Sequence, residues 1–151
     1  EGLIIMDLSN IPTAVTSSNN TTFFTRAHNI YIDEAAARLY VAGSNTHGSG
    51  LIVLDISNPG TPVEIGDANL PAGYVHDVFV RGDTAYCSHG SNDGFYVYDY
   101  GPNADAPVYL NSLTSYPDQG YNHSSWLTAD GDHLVFADVI LVNYDVQKFL
   151  S

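Results

Sequence analysis

The chain is 151 residues long, 44% hydrophobic and 14% charged, which suits one domain with a sizeable core. Four Lys and Arg face 17 Asp and Glu, a formal charge of −13 at pH 7. That field repels phosphate backbones and anionic lipid and argues against nucleic acid or a membrane surface as partners, and no apolar run reaches the ~18 residues of a membrane span. The single cysteine, Cys87, excludes an internal disulfide and, within Ala85-Tyr86-Cys87, reads as a small buried apolar residue. The chain opens at Glu1 inside a repeat, so we expect a processed or partial product, whose lack of a targeting signal carries no meaning.

Residues 2–8 read as a strand, apolar enough to be buried on both faces. Residues 9–22 are rich in Ser, Thr and Asn and read as turn and loop. His28 to Asp33 and Arg38 to Ala42 form an expected hairpin, because strand composition resumes straight after three alanines. A loop from Gly43 to Ser49 leads to the strand 50–56. Pro62 to Ile65 is a short edge strand with proline at its start. The next unit has the same grammar: His76 to Val80, Thr84 to Cys87, Phe95 to Tyr98, and the edge strand Pro107 to Leu110. A further unit begins at His123 to Leu127, turns at Asp130-Gly131 and continues through His133 to Phe136, with 139–145 a candidate third strand. No sustained helical period occurs, so the chain is expected to be all-β.

The organising feature is Gly50-Leu51-Ile52-Val53-Leu54-Asp55-Ile56-Ser57-Asn58-Pro59. It is preceded by Gly2-Leu3-Ile4-Ile5-Met6-Asp7-Leu8-Ser9-Asn10 and followed by Gly94-Phe95-Tyr96-Val97-Tyr98-Asp99-Tyr100, with the glycines spaced by 48 and 44 residues. A period of about 40–50 residues with several strands per unit marks a propeller blade or a similar array. The expectation is a β-propeller fragment of about three four-stranded antiparallel blades, with units near 1–25 (partial), 26–72, 73–120 and 121–151 (partial). A closed ring needs about 4–8 blades. The rest of the propeller, from a longer natural chain or from further copies, is therefore expected to close it.

The repeat Gly-Leu-x-x-x-Asp-Ile-Ser-Asn-Pro resembles the LVIVD repeat of bacterial and archaeal surface propellers. More narrowly, Ala27-His28-Asn29-Ile30, Ala42-Gly43-Ser44-Asn45-Thr46, Tyr74-Val75-His76-Asp77-Val78 and Tyr121-Asn122-His123-x-x-Trp126-Leu127-Thr128 are similar to segments of the choice-of-anchor B proteins. The resemblance runs from residue 2 to about 137. It implies a secreted or surface-anchored propeller of roughly seven blades, and it carries no activity over to any residue. The chain departs from the pattern in its third Asp-Ile-Ser-Asn-Pro copy and in the tail after Asp138.

His28, His76 and His123 each open the first strand of a unit, spaced by 48 and 47 residues. First strands are innermost in a propeller, so these imidazoles are expected to ring the channel near one face. They are candidate ligands for a transition metal such as zinc, copper or iron, because neutral imidazoles converging in threes suit those ions. His47 and His89, in loops expected on the same face, are candidate ligand-binding residues; His133 falls on the other face. Asn29 and Asp77 are expected to point away and brace the blades. The competing reading is structural: a histidine at a strand start bonds a neighbouring blade's carbonyl, and the repeat duplicates it.

No residue reads as catalytic. Without a Gly-x-Ser-x-Gly elbow, His47-Gly48-Ser49 and His89-Gly90-Ser91 do not make a serine hydrolase. Arg81-Gly82-Asp83 and Asp130-Gly131-Asp132 are better explained as tight turns than as an adhesion tripeptide or a calcium loop. Blade-to-blade packing explains the tyrosine-rich strands more readily than a sugar platform does. The expected function is an extracellular or cell-surface interaction module that binds an unidentified protein or small molecule. The alternatives are a metal-dependent extracellular enzyme and a structural subunit of a surface assembly.

Overall fold

A computed structural model of the chain describes residues 2–46, 48, 50–68, 70–90 and 94–139. These residues form twelve strands and no α-helix: β1 (Leu3–Asp7), β2 (Thr16–Asn20), β3 (Asn29–Asp33), β4 (Arg38–Ala42), β5 (Leu51–Asp55), β6 (Val63–Ala68), β7 (Asp77–Arg81), β8 (Thr84–Ser88), β9 (Phe95–Asp99), β10 (Val108–Leu113), β11 (Tyr121–Leu127) and β12 (Leu134–Val139). Strands β3 to β6 form one antiparallel meander and β7 to β10 a second. The pairs β1-β2 and β11-β12 make two further sheets. The first strand β7 lies between β3 and β11 and against both. The chain is thus a β-propeller segment, with two complete blades between the outer pair of one blade and the inner pair of another. The candidate third strand at 139–145 falls, beyond Val139, outside the described residues.

Strand alternation explains why β4 and β5 are apolar on both faces. Successive side chains point to opposite faces of a sheet. Tyr40, Ala42, Leu51 and Val53 of β4 and β5 face one core, shared with Val78, Val80, Ala85 and Cys87 of the next blade. Their neighbours Leu39, Val41, Ile52 and Leu54 face a second core with Leu3, Phe23 and Phe24. Each middle strand therefore feeds two interfaces. Cys87 is fully buried and free, and its thiol is pushed well above its usual range by that burial.

The recurring aspartate has a local task. Asp7, Asp55 and Asp99 each accept the backbone N–H of the residue two positions on, at 2.9, 2.7 and 2.9 Å. This carboxylate-closed turn ends the third strand of each unit.

Two expectations are corrected. β1 is not buried on both faces: Leu3 is buried, but Ile4 and Met6 are 57% and 62% exposed, because among the described residues only one side of this sheet has a neighbour. The polar stretch 9–22 is not all loop, since Thr16–Asn20 pairs along the whole of β1. β2 is an outermost strand exposed along most of its length, so its formation needs backbone pairing and no apolar pattern.

Neighbouring blades are also latched by polar groups. Arg38 pairs with Asp83 at 2.6 Å, and the Arg81 guanidinium donates to the carbonyls of Leu127, Thr128 and Ala129 at 3.4, 2.9 and 3.4 Å. Gly66 of β6 packs directly against Ala104 in the turn between β9 and β10, and a Cβ built on Gly66 would fall 2.6 Å from that of Ala104. Gly66→Ala is expected to destabilise the fold by about 1–3 kcal/mol through overpacking. A urea midpoint unchanged from the parent would contradict this reading of the interface.

Candidate functional site

Equivalent positions of the three inner strands stand side by side, so the repeat is converted into tiers along the axis. His28, His76 and His123 form one tier. The His28 and His76 rings have centroids 3.7 Å apart, and those of His76 and His123 are 4.7 Å apart. The sequence-expected convergence of these three histidines is present. His28 and His76 precede β3 and β7, where their backbone N–H groups bond to the carbonyls of Ala42 and Ser88. His123 instead lies inside β11 at a register shift between Asn122 and Ser124. Such a bulge leaves one residue unpaired and re-aims its side chain, which turns this imidazole toward its neighbours.

The outer partners of the rings set their chemistry. His28 Nδ1 lies 2.8 Å from the His76 carbonyl oxygen. A carbonyl only accepts, so Nδ1 carries the hydrogen and Nε2 of neutral His28 keeps its lone pair. That bond is also the neighbouring-blade contact of the structural reading. His76 Nδ1 lies 2.7 Å from the Tyr121 hydroxyl, while His76 Nε2 is buried without a partner. His76 itself is 6% exposed. Burial, then the neighbouring His28 and His123, lower its pKa to about 4, so it is neutral throughout the physiological range.

Two tyrosines complete this end, and sequence reasoning had quoted them only as part of a resemblance. Tyr74 and Tyr121 stand two residues before His76 and His123, and each packs over a glycine of the preceding unit. A Cβ on Gly43 would meet His28 Cβ at 2.7 Å and the Tyr74 hydroxyl at 3.0 Å, and one on Gly90 would meet the Tyr121 ring at 2.8 Å. Both glycines also have positive φ, 62° and 75°. The signal was available in the shared Tyr-x-His spacing.

Other site expectations fall out differently. Asn29 Nδ2 donates to Asp77 Oδ1, a brace between blades beside the imidazoles. His89 is buried, 1% exposed, with its ring against Tyr96 and Tyr98. His47 lies outside the described residues. His133 is at the far end of the strands, its N–H bonded to Thr128 Oγ1. Among the described residues no group of three or more His, Cys, Asp or Glu is disposed to hold a metal ion. The ring centroids lie closer together than those of rings radiating from one tetrahedral ion at ~2.0–2.1 Å would, so a shared ion requires the rings to turn.

Residues 39–69 match the family model of the LVIVD repeat; the chain therefore carries one such repeat, spanning β4 to β6. No curated protein and no solved structure matches the chain.

The depressed pKa of His76 fixes the sign of a pH effect. The unfolded chain takes up a proton near pH 6.5 and the folded one only near 4, so stability is intact above 6.5 and is lost as pH falls between those values. The loss is at most on the order of 3 kcal/mol. Thermal melts in chelator-containing buffer are expected to show this slope, with His76→Asn flattening it. An unchanged slope in the variant would assign the acid sensitivity to other groups.

Proposed function

We propose that the chain belongs to a secreted or cell-surface β-propeller that acts as a binding module, with the histidine tier as its contact site. The LVIVD repeat, associated with β-propeller surface proteins, supports a surface setting, and so does the resemblance to choice-of-anchor B proteins. The −13 charge suits a soluble extracellular segment that attracts cations.

The observation that carries the reading is the trio His28, His76 and His123, with Nδ1 of His28 and His76 held by a carbonyl and a hydroxyl. Metal-binding histidines commonly have their second nitrogen oriented by such an outer partner. It directs Nε2: in the tautomer whose Nδ1–H donates to Tyr121, the buried His76 Nε2 presents a lone pair. Neutral imidazoles suit zinc, copper or iron(II). Rotation of the exposed His123 ring about its side-chain bonds would complete the set while His28 and His76 keep these partners.

Calorimetric titration of chelator-treated protein with zinc and copper(II) is expected to show one ion per chain. His76→Ala should abolish uptake and keep the β circular-dichroism spectrum. Tyr121→Phe, which deletes one hydroxyl, should weaken affinity about 10–100-fold. Absence of stoichiometric uptake, or uptake indifferent to His76→Ala, would remove the metal from this reading and leave the tier as packing.

A further inference from the structure

Three residues beyond each histidine of the tier stand Tyr31, Phe79 and Trp126. They form a second tier nearer the C-terminal ends of the inner strands. Trp126 packs on Phe79 with ring centroids 4.7 Å apart and on Tyr31 at 6.2 Å, and Tyr31 meets Phe79 edge-on at 5.2 Å. Trp126 thus meets rings from both complete blades. Phe79 is buried, yet Trp126 is 63% exposed. The cluster lines a cleft of about 430 Å³ together with Asp33, Glu34 and Arg81, a size within the range of small-ligand sites.

The groups around the indole select among ligand classes. Asp33 and Glu34 are acceptors when ionised. Asp33 is aimed by the N–H groups of Ala35 and Ala36, which bond to its Oδ1 at 3.1 and 3.3 Å, leaving Oδ2 for another donor. Arg81 supplies donors: three carbonyls hold its Nη atoms, and a guanidinium has five N–H groups. Burial, followed by the Asp33 charge, raises the pKa of Tyr31, so its hydroxyl remains a neutral donor and acceptor. An anion would meet two carboxylates and the charge of the whole chain. An organic cation, though drawn by the two carboxylates, would meet Arg81, whose guanidinium already lies 5.6 Å over the Phe79 ring. A neutral ring that carries hydroxyls meets neither penalty. It can lay its C–H face on the indole and divide its hydroxyls between the carboxylates and the guanidinium. We propose that this cleft binds a neutral sugar residue, stacked on Trp126 and hydrogen-bonded by Asp33, Glu34 and Arg81.

The chain has a single tryptophan, so its intrinsic fluorescence reports on this cleft directly. The test titrates the protein with maltose, cellobiose, mannobiose and N,N′-diacetylchitobiose, and with choline chloride as the cationic comparison. At least one disaccharide is expected to shift Trp126 emission saturably, with choline inert. Calorimetry on Trp126→Ala should then show at least a tenfold loss of affinity for that disaccharide. Glu34→Ala, an exposed change outside the core, should also weaken it should Trp126→Ala fail to fold. His76→Ala, at the other end of the strands, should leave the sugar response intact whatever it does to metal uptake. No saturable response to any of the four disaccharides, a response to choline alone, or undiminished sugar binding in both cleft variants would each overturn the proposal.

Discussion

The structure depends on the face-to-face packing of blades. A strand such as β5, with Leu51 to Leu54 fully buried, has no solvent side, so its sheet is stable only between two others. At roughly 25 cal/mol for each Å² of apolar surface removed from water, this burial is the dominant favourable term. The polar latches refine it: Arg38 to Asp83 and Arg81 to the carbonyls after β11 join the same sheets that the apolar faces press together. Because packing fixes how each blade sits on the next, equivalent residues of the inner strands must meet. The histidine and aromatic tiers are consequences of that register.

How much of this could be read from the sequence depends on whether a residue's role repeats. The runs that became β1, β5 and β9 were legible because an apolar run and the Asp-closed turn recur in each copy. The histidine tier was legible for the same reason, through spacings of 48 and 47 residues. β2 was not, since an exposed outermost strand places little demand on its side chains and Ser, Thr and Asn pass for loop. The orientation of the imidazoles was also beyond the sequence, because it rests on a bulge at His123 and on a hydroxyl from Tyr121. The aromatic tier lay within reach. Tyr31, Phe79 and Trp126 keep the same spacings as the histidines, but an aromatic residue in a strand is so commonly core that its periodicity alone did not separate Trp126 from Tyr98 or Tyr100.

The acidic balance has an architectural share. Asp7, Asp55 and Asp99 close third strands, Asp33 and Asp130 cap turns, and Asp138 receives Asn122, Gly120 and Tyr116. A four-strand repeat that ends its strands with carboxylates accumulates negative charge with every blade. The few cations are spent where they do most: of the four Lys and Arg in the chain, two latch blades. A negative field therefore follows from the fold's turn chemistry before any ligand is considered, and a cation site could draw on it without having shaped it.

The two tiers differ in what the repeat leaves uncommitted. In the histidine tier the rings are the same in all three units, and the variation lies in their partners: a carbonyl for His28, a tyrosine for His76, a bulge for His123. In the aromatic tier the rings themselves differ, from Tyr to Phe to Trp. Identical side chains on an axis favour a centred ligand that each can touch equally, such as an ion. Graded side chains, with the largest and most exposed on one strand, favour an off-centre ligand held mainly by that strand. The same register thus presents one end of like rings and one of graded rings, and the chemistry expected at each follows from that difference.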